Sequence, residues 1–273
     1  MKILANFNIK GGVGKSALNL LMGIRLATEG KKVLFIDADS QANLTEYFYK
    51  VNHNDKTIAD ALLNQERAEN IILKGINEQY KNIDIIPSSI DICTLSEDIS
   101  NYRAREMVVA RWMKVNMDTL SQYDYIIVDL SPSMELINRN FLYIMDSIVL
   151  VMEHGDISSL RGIQKFNQVY IQDLEELEIE DTTKKVIVIN SYKNSNRSVM
   201  KHFNDQLENY KQSQFGGFIK ESLLDSVISE SDVIKRALLE KEDIKNVDKK
   251  YRNKKVEQQF NDFMEELKKR GVL

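Results

Sequence analysis

The sequence predicts an α/β fold, with one domain over residues 1–273 and a mostly parallel, twisted sheet that has helices on both faces. Three observations lead to this prediction. Short apolar, β-branched runs recur along the chain, longer helical patterns separate them, and a glycine-rich turn joins the first run to the first helix. Parallel strands that are buried on both faces are nearly continuous apolar runs. Their alternation with helices gives right-handed βαβ units.

Six runs have the composition of buried strands: 2–7, 33–36, 83–86, 125–128, 148–151 and 186–189. Helices are predicted between and after them, at 17–29, 103–121, 134–145, 156–178, 197–211 and 256–270. Pro87 and Pro132 are the only prolines, and the chain has no internal repeat and no Ser/Gly-rich linker. This favours a single compact domain. In such a sheet, ligands bind beyond the carboxyl ends of the strands.

Bulk composition excludes several classes of protein. Hydrophobic residues make up 43% and charged residues 29% of the chain, as in ordinary globular proteins. No apolar run approaches the roughly 18 residues that a transmembrane helix needs, and the N-terminus enters a strand without a secretory signal. The one cysteine, Cys93, and three scattered histidines argue against a disulfide and against zinc or iron–sulfur sites. We therefore expect a cytoplasmic protein with no membrane partner.

The turn after the first strand has the composition of a phosphate-binding loop. Its glycines let backbone N–H groups turn towards phosphate oxygens, and the following helix directs its positive dipole end at them. Lys15 is predicted to neutralise phosphate charge, and the Ser16 hydroxyl to ligate Mg²⁺. The loop opens on a second lysine, Lys10, and Ile9 stands where the ordinary pattern has a glycine. The predicted nucleotide-binding segment is Lys10, Gly11, Gly12, Val13, Gly14, Lys15, Ser16 and Ala17.

Two further strands end in carboxylates. Asp37 and Asp39 follow the run 33–36 two residues apart, so they start on the same side of an extended chain. Both are placed to approach a phosphate-bound Mg²⁺, and one of them to orient an attacking water. Asp129 follows a later apolar strand, which is the arrangement of a Walker B acid that holds Mg²⁺. The next residues, 130–133, are interpreted as a loop that senses the terminal phosphate.

Asn190 directly follows the run 186–189. An asparagine there is interpreted in two ways, which the sequence does not separate. It either hydrogen-bonds an adenine edge or forms a turn at the end of the strand.

Charge is distributed unevenly. Residues 1–183 contain 18 Lys and Arg against 27 Asp and Glu, whereas residues 184–273 contain 19 against 14. This basic C-terminal third fits a face that binds DNA phosphates, and equally a solvated surface with local ion pairs. The densest basic run is 249–255.

Three segments, in order, resemble the ParA family of deviant-Walker ATPases, the partition group of the ParA/MinD superfamily. Lys10 to Ser16 matches the loop KGGxGK[ST], and residues 33–45 (VLFIDADSQANLT) resemble the second family box. Residues 123–132 (YDYIIVDLSP) resemble its Walker B and switch II segments. The similarity extends over about the first 190 residues. It implies the fold of a P-loop NTPase of the deviant Walker A type.

The resemblance implies an ATP-switched homodimer. In that family Lys10 reaches across the interface to the partner's phosphates, Lys15 binds phosphate in its own subunit, and Asp39 activates the water. The resemblance assigns magnesium contacts to Ser16, Asp37 and Asp129. Ala17 departs from the family threonine and lacks its hydroxyl contact to the α-phosphate, and Ser40 stands where proline is usual.

The family also implies partners and a location. Its ATP-bound dimer coats nonspecific double-stranded DNA, and a ParB-like centromere-binding protein stimulates slow ATP hydrolysis and releases the dimer. We therefore expect Mg²⁺ and ATP as cofactors and a nucleoid-associated location. The candidate DNA contacts are Lys220, Lys235, Arg236, Lys250 and Arg252.

Two alternatives stay open. One is a MinD-like ATPase that is positioned on a membrane, for which the amphipathic last helix, 256–270, would be the lipid contact. Glu257, Asp262, Glu265 and Glu266 on its polar face argue against that role, because anionic lipid would repel them. We expect this helix to pack on its own domain instead. The other alternative is a scaffold in which ATP only holds a dimer that recruits proteins.

Overall fold

The structure is a computed structural model that describes residues 1–52, 55–193, 198–251 and 254–273. Its sheet has seven strands, and the strand pairings described below are parallel. The predicted α/β class, a parallel sheet accompanied by helices, is confirmed. By its internal contacts the chain divides into two units, Met1–Ala5 with Leu18–Asp146 and Asn6–Ala17 with Ser147–Leu273. The single domain over residues 1–273 stays a prediction.

The first unit contains four strands in the order β3-β2-β4-β1. They are β1 (Lys2–Phe7, the first four residues of which lie in this unit), β2 (Val33–Ala38), β3 (Ile83–Ile86) and β4 (Tyr125–Leu130). All six residues of β2 are buried, as expected for a central parallel strand. The register of β2 and β4 places Asp37 opposite Asp129. The two predicted metal ligands therefore lie side by side at the carboxyl ends of neighbouring strands.

The helices of the first unit begin with α1 (Lys15–Thr28), which belongs to it from Leu18 onwards. Gly23 of α1 faces the Phe35 ring so closely that a Cβ atom there would overlap it. The absent side chain thus lets the helix approach β2. The other helices are α2 (Asn43–Phe48), α3 (Ile58–Leu63), α4 (Ala68–Ile71), α5 (Ile92–Ser100), α6 (Val108–Val115), α7 (Met117–Leu120) and α8 (Leu136–Leu142).

The second unit contains β5 (Ser147–Glu153), β6 (Lys184–Tyr192) and β7 (Leu223–Ser229), in that order. Its helices are α9 (Ile157–Glu176), α10 (Ser198–Gln212), α11 (Gly216–Ser222), α12 (Asp232–Glu240), α13 (Ile244–Tyr251) and α14 (Lys254–Lys269). The apolar face of α14 is buried, with Phe263 and Leu267 fully inaccessible. The Glu266 carboxylate accepts the backbone N–H groups of Asp225 and Ser226 in β7. The expectation that this helix packs on its own chain is confirmed.

The six predicted strands are confirmed, whereas β7 and several short helices were not predicted. The predicted helix 103–121 was wrong in extent, because it divides into a 3-10 turn at Arg105–Met107, α6 and α7. Asn116 lies between α6 and α7, where its side chain accepts the Ala68 N–H and donates to the Trp112 carbonyl. Among the described residues, no helix is both long enough and apolar enough to cross a bilayer.

Candidate functional site

The phosphate-loop sequence forms a tight turn between β1 and α1. Gly12 and Gly14 have φ angles of +80° and +96°, which residues with a Cβ rarely adopt. Gly11 and Gly12 are exposed, whereas Val13 is buried and fastens the turn to the protein interior. The helix starts at Lys15, so the first N–H groups of α1, which have no helical partner, lie next to the glycines. This is the backbone arrangement that binds anions.

Asn8 holds the start of this loop. Its side chain is fully buried, and Nδ2 donates to the carbonyls of Val151 (2.7 Å) and Ser159 (2.9 Å). Its Oδ1 accepts the backbone N–H of Lys10 at 2.9 Å. Gly162 of α9 lies so close that a Cβ atom there would overlap Oδ1. One amide therefore fixes the loop to both β5 and α9.

Asn190 holds the middle of the loop from the end of β6. Its Nδ2 donates to the Val13 carbonyl at 2.8 Å, and a Cβ atom on Gly14 would overlap this amide. Support of the loop is neither of the two roles considered from the sequence. This bond leaves Oδ1 and the second N–H of Nδ2 to Asn190, so the adenine contact stays a prediction.

Lys10, Lys15 and Ser16 differ in exposure. Lys10 is exposed, which its predicted role across a subunit interface would require. Lys15 is buried to 7% exposure in the first turn of α1, and Ser16 beside it is half-buried. Ala17 follows in the same turn and is also half-buried.

Two of the three predicted acidic residues form a buried cluster. Asp37 and Asp129 are fully inaccessible and adjacent in register. Asp37 Oδ2 accepts the backbone N–H (2.8 Å) and the hydroxyl (2.7 Å) of Thr45. Asp129 Oδ1 accepts Nδ2 of Asn19 in α1 at 2.7 Å. Both carboxylates are thus oriented by neutral donors, so neither charge is compensated by these contacts.

The electrostatics of this pair fit a cation. Burial, and secondarily the charge of Asp129, raises the pKa of Asp37 to about 7. A nearby cation would favour the ionised form of both groups. Among the described residues, no group of three or more His, Cys, Asp or Glu side chains is arranged to hold a metal ion. Mg²⁺, which takes one or two carboxylates and completes its shell with phosphate and water, fits this donor set.

Asp39, the third acid, is 8% exposed and lies just beyond β2. Its Oδ1 accepts the N–H of Gln41 at 2.9 Å, and its own N–H donates to Asp37 Oδ1 at 3.1 Å. The Asp39 carbonyl accepts the Ser88 hydroxyl at 2.8 Å. Its backbone and one carboxylate oxygen are therefore fixed by the protein.

The loop after β4 is also held by an asparagine. Asn138 Nδ2 lies within 3.0 Å of four acceptors, the carbonyl and hydroxyl oxygens of Ser131 and Ser133. This amide determines the course of the loop that was interpreted as a phosphate sensor. Nothing in the local sequence pattern indicated Asn138.

A cavity of about 700 Å³ opens at the carboxyl ends of β6 and β7. The Tyr192 ring lines it and stacks on His154 with 4.6 Å between ring centroids. The remaining lining is mostly polar and includes Lys193, Ser229, Ser231 and Gln259. An aromatic wall with several hydrogen-bonding groups suits a planar, polar ligand.

The basic candidates lie in different settings. Lys250 is paired with Glu240 (2.7 Å) and Glu242 (3.3 Å), and these carboxylates raise its pKa. Lys235 lies 3.7 Å from Glu230 and 3.6 Å from Asp232. Lys220 and Arg236 are exposed on α11 and α12, and Arg252 lies outside the described residues.

Comparison with known proteins gives the family. The model of an AAA domain family, AAA_31, matches residues 1–180. The virulence plasmid ParA family protein pGP5-D of Chlamydia psittaci is 34% identical over 173 residues, which cover 62% of each chain. The chain belongs to the ParA family. The chain spans about half the length of curated relatives that it matches. For an uncharacterized protein of Mycobacterium tuberculosis, the matched region is 49% of that protein's length.

Solved structures support the family and the fold. A plasmid partition protein from Borrelia burgdorferi is 26% identical, with a TM-score of 0.64 over 93% of this chain and 98% of that one. Cyanothece McdA(D38A) in complex with ATP superposes with a TM-score of 0.80 over 100% of this chain and 97% of that one. At 19% identity, the McdA similarity concerns the fold alone.

Proposed function

We propose that this ParA-family chain is an Mg²⁺-dependent ATPase of DNA partition. Its ATP-bound homodimer binds nonspecific double-stranded DNA, and a ParB-like centromere-binding protein stimulates hydrolysis. The observation that carries the proposal is the loop. It has two glycines with positive φ, is exposed at its glycine-rich tip, leads into a helix that starts at Lys15, and is fastened by Asn8 and Asn190. A loop fixed in this way binds a phosphate chain without first being ordered.

In this proposal each matched residue has one task. Lys15 and the loop N–H groups bind the phosphates, Lys10 acts on the nucleotide of the second subunit, and Asp39 orients the attacking water. The residues that would hold magnesium are Ser16, Asp37 and Asp129. Bound Mg²⁺ would neutralise charge that develops on the phosphates. Asp37 and Asp129 then need no proton to lie side by side.

The base would occupy the cavity at the ends of β6 and β7. The Tyr192 ring offers a face for stacking, and Ser229 and Ser231 offer hydrogen bonds. The Oδ1 atom of Asn190 would accept from the exocyclic amine of adenine, while Nδ2 donates one N–H to the Val13 carbonyl.

DNA binding would depend on phosphate contacts by the basic C-terminal third. Lys220 and Arg236, which are both exposed, are two of the candidates. The ion pairs of Lys235 and Lys250 would first have to exchange carboxylate for phosphate. Because counterions are released when phosphates are neutralised, affinity would fall steeply as salt concentration rises.

The decisive experiment measures DNA binding by the wild-type protein and Lys10→Ala, each with ATP, with ADP and without nucleotide, at two salt concentrations. The exposed Lys74→Ala is the matched control for the loss of one positive charge. We expect ATP-dependent, salt-sensitive binding that Lys10→Ala loses and Lys74→Ala keeps. DNA binding that is equal with ATP, with ADP and without nucleotide contradicts the proposal, and so does the absence of binding in all three states. Liposome sedimentation with ATP would then test a membrane partner.

A further inference from the structure

The loop that follows β3 contacts the segment that contains the catalytic candidates. Ser88 in this loop is fully buried. Its hydroxyl donates to the carbonyl of Asp39 at 2.8 Å, and its backbone N–H donates to Thr45 Oγ1 at 3.0 Å. Ser88, which follows β3, thus contacts both Asp39 and Thr45 in the segment that follows β2. No motif in the sequence indicates it.

The hydrogen bonds of this cluster form a consistent directional chain. Thr45 Oγ1 accepts from Ser88 and donates its single proton to Asp37 Oδ2 at 2.7 Å. Each hydroxyl therefore donates once, as its one proton requires. The chain leads from the loop after β3 to the buried carboxylate of Asp37, and a second branch leads to the backbone of Asp39.

Asp39 is held at both of its peptide groups. Its N–H donates to Asp37 Oδ1 at 3.1 Å, and its carbonyl accepts from Ser88. Because Asp37 and Ser88 are fully buried, solvent does not readily replace either contact. The Asp39 carbonyl also accepts the Ala42 N–H at 2.9 Å, so loss of the Ser88 hydroxyl would remove one of its two donors and leave the charge and identity of Asp39 unchanged.

We propose that Ser88 is a positioning residue that orients Asp39 for ATP hydrolysis. This inference rests on the proposed ATPase function, in which Asp39 orients water. Water attack tolerates little misplacement of the group that directs it. Ser88 touches no predicted phosphate ligand of the loop, so its removal changes turnover and leaves ATP affinity intact.

The test compares Ser88→Ala with Ser89→Ala. Ser89 is the adjacent serine, and its hydroxyl is hydrogen-bonded to Asp91. We expect kcat to fall about tenfold in Ser88→Ala, the effect of one buried hydrogen bond, with KM and ATP affinity within about twofold of wild type. Ser89→Ala keeps wild-type values, and Ser88→Thr, which retains the hydroxyl, recovers most of kcat. Equal kcat in the two alanine variants, or parallel losses of kcat and ATP affinity, overturns the proposal.

Hydrogen exchange of the nucleotide-free protein tests the contact between Ser88 and Asp39 independently of ATPase activity. Faster exchange in peptides that cover residues 38–46 of Ser88→Ala, with no change in Ser89→Ala, supports the contact. Unchanged exchange in that segment overturns it, whatever the kinetics show. No turnover by the wild-type protein with DNA present refutes the ATPase proposal itself, and the exchange result then decides the Ser88 contact alone.

Discussion

Replacement of Asn8 by alanine tests whether the phosphate loop is held by one buried amide. The change removes three hydrogen bonds of 2.7 to 2.9 Å and leaves two carbonyls and the Lys10 N–H without their donor or acceptor. At about 1 kcal/mol for each buried group, the free energy of unfolding should fall by about 3 kcal/mol. For a chain of this size, that corresponds to a decrease in Tm of roughly 6–12 °C.

The assay is thermal and urea denaturation of Asn8→Ala, with calorimetric titration of ATP at a temperature where the variant is folded. ATP affinity should also fall, because the loop then has to be ordered on binding. Asn70→Ala is the control. It removes one exposed hydrogen bond, to Glu66, and should change stability by no more than about 0.5 kcal/mol. A Tm of Asn8→Ala within about 2 °C of wild type, with unchanged ATP affinity, would refute the reasoning.

Three other predictions concern neighbouring features. Lys15→Ala should abolish ATP binding in calorimetry, because it removes the charge that faces the phosphates; retained affinity would contradict the loop assignment. Asp39→Ala should bind ATP without turnover and persist as a dimer in gel filtration; a variant that still turns over is the contrary result. Burial lowers the pKa of His154, whose Nδ1 accepts the Lys193 N–H. Stability of the wild-type protein should therefore be lost as pH falls through and below the ordinary histidine range. Between pH 7.5 and 5.5, about one pH unit on either side of 6.5, the Tm of His154→Gln should therefore decrease less than the Tm of the wild-type protein.

Features that depend on local pattern could be predicted from the sequence, and features that depend on tertiary contacts could not. Six of the strands consist mostly of apolar residues, so composition sufficed to predict them. Strand β7 was missed because Asp225 and Ser226 interrupt its apolar residues. Its pairing with β6 contains two register shifts. The break at Asn116 depends on a contact with Ala68, which is distant in sequence.

The same distinction applies to the candidate site. Lys15 was predicted from the glycine-rich turn before it, and Asp37 and Asp129 were predicted from the apolar runs that they follow; their roles stay proposals. The roles of Ser88 and Asn138 depend on which carbonyl each side chain meets, and no local pattern specifies that. The sequence does carry one indication of Asn8, because it is a polar residue between the first strand and the glycine-rich turn, three positions before Gly11.

Neutral amides fasten the loops of the candidate site: Asn8 and Asn190 hold the glycine-rich loop, and Asn138 holds the loop after β4. An amide carries a donor and an acceptor on one small group. It can therefore donate to a buried carbonyl and accept from a buried N–H at the same time. A carboxylate in place of Asn8 would face the carbonyls of Val151 and Ser159 and would add a negative charge beside an anion site. A lysine would leave the Lys10 N–H without an acceptor and would attract phosphate away from Lys15. Because neutral amides hold this loop, Lys10 and Lys15 would be its own positive charges towards the proposed nucleotide.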